Sequence, residues 1–103
     1  MVVTKEIKEV IPQAPYVPIV TVSSQGEPHI IVVGKVQEVR EEDTIVFGIY
    51  KMEKTQKNIQ DTGKMQVIIA STQDGPKGCR LTGKACIDGK QVLFKAEKAE
   101  ALL

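Results

Sequence analysis

Short runs of β-branched residues, separated by turn sequences, recur along most of this 103-residue chain and constrain its fold. Branched side chains suit a pleated sheet, and the clusters of Gly, Pro and charged residues between the runs mark turns. Most connections are too short for a parallel crossover, so neighbouring strands are expected to run antiparallel. The predicted strands are residues 16–23, 29–39, 44–50, 64–71 and 79–87.

An amphipathic segment near the N-terminus predicts a short helix before the first strand. Its apolar residues recur at helical spacing and form one stripe, which Pro12 ends. Pro18 lies inside the first strand, and because proline has no N–H for the ladder, the start of that strand is expected at a sheet edge. The stripe consists of Val3, Ile7, Val10 and Ile11.

Two further helices are predicted, one after the third strand and one at the C-terminus. The first begins within KMEKTQKN, residues 51–58, where helix-favouring polar residues replace the strand pattern, and it ends at Gly63. The second is expected from Lys90 to Leu103, because KAEKAEALL has high helix propensity. The length of the chain predicts a single domain, residues 1–103. The predicted fold is mainly β, a small closed or nearly closed antiparallel barrel with short flanking helices.

Charge and composition exclude several classes of function. The chain carries 14 Lys and Arg against 13 Asp and Glu, spread along its length, so nucleic-acid binding is not expected. No apolar run resembles a membrane span or a secretory signal, and a cytoplasmic protein is expected. Cys79 and Cys86 would point to opposite faces of one strand and cannot bridge each other. One histidine and no C-x-x-C pair do not provide a metal-ligand set.

The basic start of the second helix is the strongest candidate for a ligand site. A helix N-terminus offers unpaired N–H groups and a partial positive charge, which suit a phosphate. Lys54 would add a charge and Thr55 a hydroxyl donor. The alternative is a solvated helix surface on which Glu53 and Lys57 form an i, i+4 pair, and charge alone favours that interpretation.

Catalytic motifs are absent from the rest of the sequence. Neither the serine-nucleophile motif G-x-S-x-G nor the phosphate-binding motif G-x-x-x-x-G-K-[ST] is present. His29 begins a strand after a turn, a position where histidine is more often structural than a catalytic base. If the protein carries out chemistry, a cofactor is expected to supply it.

Three segments, in this order, resemble the flavin-binding split barrels related to pyridoxamine 5'-phosphate oxidase, which include small bacterial FMN-binding proteins. The most specific is DTIVFGIYKMEKTQKNI, residues 43–59, in which a β-branched strand precedes M-x-K-T-x-x-N and an apolar residue. The others are IVTVSSQGEPHIIVV, residues 19–33, with G-x-P-H at its turn, and GCRLTGKACI, residues 78–87. The resemblance covers most of the chain and implies an antiparallel split β-barrel.

The same resemblance implies a homodimer with FMN at the subunit interface. It implies that Lys54 and Thr55 contact the FMN phosphate, which agrees with the interpretation of the helix start. It also implies that residues of two neighbouring strands lie beside the ribityl chain and the isoalloxazine ring. These residues are Gly48, Ile49, Tyr50 and Lys51 on one strand, and Val33, Gly34 and Lys35 on the other.

The leading hypothesis is an FMN-binding homodimer that transfers electrons or hydride, either as a flavin reductase-like oxidoreductase or as an electron-transfer protein. The sequence leaves open whether the protein is an enzyme, and it does not identify a redox partner. A second hypothesis is a binding module for haem, with His29 as axial ligand, or for a deazaflavin, or a sensing domain without turnover. An oligonucleotide-binding barrel is disfavoured, because such sites need stacking aromatics and the chain has two Tyr, two Phe and no Trp.

Overall fold

The computed structural model describes residues 1–102, which form one antiparallel sheet of seven strands with short helices. The mainly β fold predicted from the sequence is confirmed. The sheet order is β2-β1-β5-β6-β7-β4-β3. In chain order the elements are α1 (Lys5–Val10), a 3-10 turn (Ile11–Gln13), β1 (Val17–Val22), β2 (Pro28–Val33), β3 (Glu38–Arg40), β4 (Thr44–Gly48), α2 (Glu53–Asp61), β5 (Lys64–Ser71), β6 (Lys77–Asp88) and β7 (Gln91–Ala101).

The two edge strands of the sheet, β2 and β3, follow each other in the chain. Only residues 34–37 connect them, and the five peptide steps from Val33 to Glu38 span at most about 18 Å. Seven strands laid flat would separate the edges by about 29 Å. The sheet therefore curls until its edges approach each other, and this forms a split barrel with a seam between β2 and the β3–β4 hairpin.

The core lies inside this curled sheet, because alternate residues of β1 and β5 and of the first half of β7 point inward. Val17 and Ile19 of β1 show the pattern, with exposed fractions of 0% and 1%. Burying one such side chain contributes roughly 1.5–3 kcal/mol. Helix α2 covers one end of the core with Ile59, and Asn58 Nδ2 donates a hydrogen bond of 3.1 Å to Thr21 Oγ1 in the barrel wall.

The predicted C-terminal helix is wrong, because Gln91–Ala101 forms strand β7. Helix propensity is high in this segment, but Val92, Phe94 and Ala96 alternate with less buried residues and fill the core. Gly89 adopts φ +60° in the turn that returns the chain from β6. The free energy gained when β7 pairs with β6 and β4 and buries Phe94 exceeds the small differences in intrinsic helix propensity. The part of the predicted helix at Leu103 lies outside the described residues.

The second predicted strand, residues 29–39, is divided in the structure. β2 ends at Val33, the chain crosses the seam at residues 34–37, and β3 begins at Glu38. The edge position expected for Pro18 also differs, because β1 lies between β2 and β5. The pairing of β1 with β5 covers only Ile19–Thr21, so the missing N–H of Pro18 removes no hydrogen bond between these two strands.

The N-terminal helix is shorter than its apolar stripe. Thr4 Oγ1 accepts a hydrogen bond from the Ile7 N–H and caps α1, while Pro12 lies within the 3-10 turn that continues from it. Val3 precedes the helix and is fully buried. It is held there by Asp43, whose Oδ1 accepts hydrogen bonds of 2.9 and 2.8 Å from the N–H groups of Val2 and Val3.

Cys79 and Cys86 are unbridged, as the strand geometry predicts. Partial burial raises the pKa of the Cys79 thiol, which opposes formation of a reactive thiolate. Neither α1 nor α2, the α-helices of residues 1–102, combines the length and the apolar character needed to cross a bilayer.

Candidate functional site

A cavity of about 490 Å³ opens at the seam of the barrel, where the end of β2 faces the end of β4. Its wall consists of Ile31–Lys35 on one side and Gly48–Met52 on the other. We call this space the seam cavity. Its volume falls within the range of about 300–1,000 Å³ that is typical of sites for small molecules and cofactors.

All the residues predicted from the sequence to bind a cofactor, except Lys54 and Thr55, line the seam cavity. The curl of the sheet brings together two segments that lie apart in the sequence. Ile31, Val32 and Met52 also line the cavity and were not among the predicted site residues; Met52 is the first residue of the M-x-K-T-x-x-N motif, which was the available signal. The predicted residues in the wall are Val33, Gly34, Lys35, Gly48, Ile49, Tyr50 and Lys51.

The chain turns tightly between the cavity wall and α2. Lys51 has φ +63° and Met52 has φ 13° and ψ 38°, conformations that non-glycine residues seldom adopt. The Met52 N–H donates a 3.0 Å hydrogen bond to the Tyr50 carbonyl. Tyr50 is 77% exposed, and the Lys51 ammonium lies 5.6 Å from the centre of its ring. Strained backbone of this kind is concentrated at binding sites, where surrounding contacts hold it in place.

Helix α2 begins immediately beyond this turn, at the edge of the seam cavity. Met52 is its N-cap residue, and no side chain caps the first turn. The first backbone hydrogen bond runs from the Gln56 N–H to the Met52 carbonyl at 2.8 Å, so earlier N–H groups have no helical acceptor. These groups and the exposed Lys54 provide positive charge. The exposed carboxylate of Glu53, in the same turn, offsets part of it.

Lys54 and Thr55 occupy different environments, although both lie in the first turn of α2. Lys54 is exposed, whereas Thr55 is only 1% exposed. Its Oγ1 is a buried polar atom without a hydrogen-bond partner among the described residues. A buried hydroxyl in that state destabilises the fold by about 1–3 kcal/mol. Of the predicted pair, only Lys54 therefore presents its polar group to solvent.

His29 lies outside the wall of the seam cavity. It is half-buried in β2, opposite Thr21 in the β1–β2 register. Within residues 1–102, no three side chains of His, Cys, Asp or Glu lie close enough to hold a metal ion together.

Comparison with known proteins places this geometry in a family. A sequence profile described as pyridoxamine 5'-phosphate oxidase matches residues 3–100, whereas no curated protein matches the sequence. HupZ from Group A Streptococcus shares the fold with a TM-score of 0.81, 20% identity, and coverage of 96% of this chain and 93% of HupZ. For an FMN-binding protein from Syntrophomonas wolfei subsp. wolfei the values are 0.72, 19%, 93% and 88%.

The haem storage protein HutZ from Vibrio cholerae has the same fold at a TM-score of 0.66 and 12% identity, with coverage of 98% of this chain and 95% of HutZ. At these identities the structural likeness establishes the fold alone. The sequence profile covers nearly the whole chain, and its match agrees with the split barrel that the sheet forms. The chain belongs to the pyridoxamine 5'-phosphate oxidase family.

Proposed function

We propose that this protein binds FMN in the seam cavity and transfers electrons or hydride as a small flavoprotein, either an oxidoreductase or an electron-transfer protein. The observation that carries the proposal is the position of the cavity beside the uncapped start of α2. A flavin nucleotide needs an apolar slot for its ring next to a binding point for its phosphate. Family membership and the fold shared with the Syntrophomonas wolfei FMN-binding protein support the assignment.

The wall of the seam cavity suits an isoalloxazine ring. Ile31, Val33 and Ile49 provide apolar surface, and Gly34 and Gly48 leave the backbone uncovered. A Cβ built on Gly34 would meet no atom within 4 Å, so a ring has room to approach the peptide groups there. When bound, the flavin supplies the redox chemistry, while the protein orients the ring and tunes it through such contacts.

The first turn of α2 is the proposed position of the phosphate. Its backbone N–H groups lack helical acceptors, and Lys54 adds a full positive charge. The Thr55 hydroxyl is an unused donor in the same turn. Lys51, in the cavity wall, and Lys54 together outweigh the single carboxylate of Glu53.

The absorption spectrum of the purified protein tests the proposal directly. We expect the visible bands of oxidised flavin, either as isolated from cells or after addition of FMN and removal of the unbound nucleotide. Bound FMN should also lose fluorescence as its ring becomes covered. A colourless protein that leaves the fluorescence of added FMN unchanged would contradict the proposal.

Lys54→Ala tests the position of the phosphate. We expect FMN affinity to weaken by about 1–3 kcal/mol, because a charge-assisted contact is lost. Lys57→Ala is the matched control, because Lys57 lies in the same helix but bonds Asp61 at 3.2 Å. Isothermal titration calorimetry measures the FMN affinity of both variants and of the unaltered protein. Equal affinities for Lys54→Ala and the unaltered protein would move the phosphate away from α2.

Haem is the second candidate ligand, favoured by the fold shared with HutZ. His29 is the only histidine of the chain, and it does not line the seam cavity. Flavin therefore fits the cavity better than a histidine-ligated haem. Addition of haemin to the purified protein separates the two: a Soret band that disappears in His29→Ala would favour haem. A deazaflavin has its own absorption spectrum and would be recognised in the same measurement.

We also propose that two copies of the chain form a homodimer through the outer face of β2 and β1. Ile30 and Val32 are 64% and 59% exposed on that face. They pair in register with Val20 and Pro18 of β1, so the four side chains form one apolar patch. Because β2 continues into the wall of the seam cavity, a partner subunit covering this patch would also lie beside the flavin.

A further inference from the structure

A second cavity, of about 280 Å³, opens beside the seam cavity, between the N-terminal helical segment and the chain that leads into β3. We call it the link pocket. It shares Lys35 with the seam cavity, so the two lie next to each other. The described residues that line it are separate from the apolar patch proposed for the homodimer. Its apolar floor consists of Ile11, Pro12, Val36 and Val39.

Two lysines that line the link pocket have no ionic partner among residues 1–102. Lys8 of α1 and Lys35 are both exposed, and no carboxylate of these residues lies within 4.0 Å of either ammonium group. The carboxylate of Glu38 also lines the pocket, but it bonds Arg40 at 2.9 Å. Glu9, next to Lys8 in the chain, lines neither cavity. The link pocket therefore combines two uncompensated positive charges with an apolar floor.

The positive charge continues from the link pocket along the seam cavity to α2. Lys35 and Lys51 both line the seam cavity, and Lys54 follows in the first turn of α2. Apart from the neutral ion pair in the link pocket, this side of the molecule has these three lysines and Lys8 against the carboxylate of Glu53, a net charge of +3. The whole chain carries +1, so its other ten basic and twelve acidic residues give −2. Charge is thus concentrated around the two cavities.

A bound FMN would neutralise only part of this charge. Its phosphate, a monoester with about −1.5 to −2 charges at neutral pH, has its proposed position at α2, beside Lys51 and Lys54. Lys8 and Lys35 lie at the other side of the seam cavity, in the link pocket. The protein with flavin bound therefore keeps a cationic, partly apolar surface next to its redox group.

We propose that the link pocket is the docking surface for an acidic electron-carrier protein, an inference that rests on the proposed flavin function. Carboxylates of the carrier meet Lys8 and Lys35, and an apolar side chain of the carrier enters the pocket. One electron passes between flavin and carrier in each encounter, so that one is oxidised as the other is reduced. Lysines are flexible point charges, which suit such a transient contact better than the fixed binding of a small anion. Complementary charge also speeds the encounter.

An anionic membrane surface fits the link pocket less well than a protein does. Membrane-surface helices present an apolar face to the bilayer. Helix α1 has only six residues, and its apolar side chains, Ile7 and Val10, pack against the core instead. The pocket is also concave, which suits a protruding side chain of a partner protein.

Amide NMR titration of the FMN-loaded protein with the end-blocked peptide ELEELE tests the docking surface. The signals of Lys8, Val36 and Val39 should shift and saturate, and the affinity should fall as sodium chloride is added. The peptide KLKKLK and the small dicarboxylate glutarate should bind more weakly. Shifts spread evenly over the exposed lysines would overturn the proposal. So would co-sedimentation with phosphatidylserine vesicles that ELEELE does not compete against, because the surface would then serve a membrane.

The same titration separates this inference from the proposed function. FMN binding without binding of ELEELE would overturn the docking surface and leave the proposed function intact. Binding of ELEELE by a protein that takes up no FMN would overturn the redox role of the surface.

Lys8→Glu provides the mutational test, because Lys8 lies outside the seam cavity. We expect its affinity for ELEELE to fall by about tenfold at low salt, since an attraction becomes a repulsion, and Lys8→Gln should show a smaller loss. FMN affinity should not change. Lys84→Glu is the matched control: Lys84 is exposed, makes the same change in net charge and lines neither cavity. Equal losses in Lys8→Glu and Lys84→Glu, or no loss in either, would overturn the proposal.

Discussion

Lys54 and Thr55 are neighbours in the sequence, but their side chains lie in different environments. The sequence treats them as a pair at the start of a helix, and the structure places both in the first turn of α2. Their side chains diverge, because successive helical residues point about 100° apart. Lys54 therefore reaches solvent, and Thr55 lies among core residues with its hydroxyl unpaired.

Thr55→Val is expected to stabilise the protein without ligand by about 1 kcal/mol, because it removes a buried hydroxyl that has no partner. The same change should weaken FMN binding if the hydroxyl contacts the phosphate. Urea denaturation and FMN titration measure the two effects. Thr21→Val is the matched control and should destabilise the protein, since Thr21 Oγ1 accepts a hydrogen bond from Asn58. Destabilisation by Thr55→Val would show that its hydroxyl is satisfied in the folded protein.

Asp43 anchors the N-terminal segment and makes its stability depend on pH. The hydrogen bond from the Val3 N–H is the main cause of its lowered pKa, with further contributions from Val2, the N-terminal charge and Lys95. Because the folded-state pKa lies below the ordinary value of 3.8, the stabilisation is complete above that value. It is lost as the pH falls through the lower, folded-state pKa.

Asp43→Asn separates the charge from the hydrogen bonds. Asparagine keeps an acceptor and tolerates the φ of +59° at this position, so the variant should be only slightly less stable than the unaltered protein at neutral pH. The difference in unfolding free energy should shrink towards zero at pH values below the folded-state pKa. Asp43→Ala should cost about 1–3 kcal/mol at neutral pH. Urea denaturation across this pH range checks both variants, and a constant difference for Asp43→Asn would contradict the role of the charge.

At the scale of elements, β7 shows tertiary structure overriding local propensity. Its sequence favours a helix, yet it pairs with β6 on one side and β4 on the other. The β6–β7 ladder reaches from Asp88 and Gln91 to Cys79 and Ala101, interrupted by the bulge at Gly83. α2 behaves differently: it was predicted correctly, because its strand-to-helix change and its final glycine are local signals.

Gly83→Ala tests the close approach of β6 and β7. We expect a loss of about 1–3 kcal/mol or more, because the added methyl group would overlap backbone atoms of Lys95 that cannot move aside. Gly34→Ala is the matched control, since a Cβ at Gly34 meets no atom within 4 Å. Thermal and urea denaturation measure the stability of the two variants. Equal stability of both variants would mean that the bulge relaxes at little cost.

At the scale of the whole molecule, the curl of the sheet creates the seam cavity and leaves the apolar patch of Ile30 and Val32 on its outer face. Side chains this exposed and this apolar, grouped on one face, are typical of interaction surfaces. A partner subunit would cover them and add a further wall to the seam cavity.

Val32→Lys is expected to convert the proposed dimer into a monomer, because it places a charge in the apolar patch. Light scattering after size-exclusion chromatography measures the mass in solution. Gln25→Lys, in the exposed β1–β2 turn, is the control and should leave the mass unchanged. A monomeric unaltered protein would contradict the homodimer but not FMN binding, which the absorption spectrum tests separately.

Local patterns in the sequence by themselves determined most strands, the bounds of α2 and the family, because strand alternation and turn residues act between near neighbours. Only the tertiary structure decided three other features. β7 is a strand because two neighbouring strands pair with it. Residues 33–35 and 48–51 meet in one cavity because a four-residue link forces the sheet to curl. Thr55 is buried because α2 closes the barrel end, and such contacts depend on the whole chain rather than on spacing.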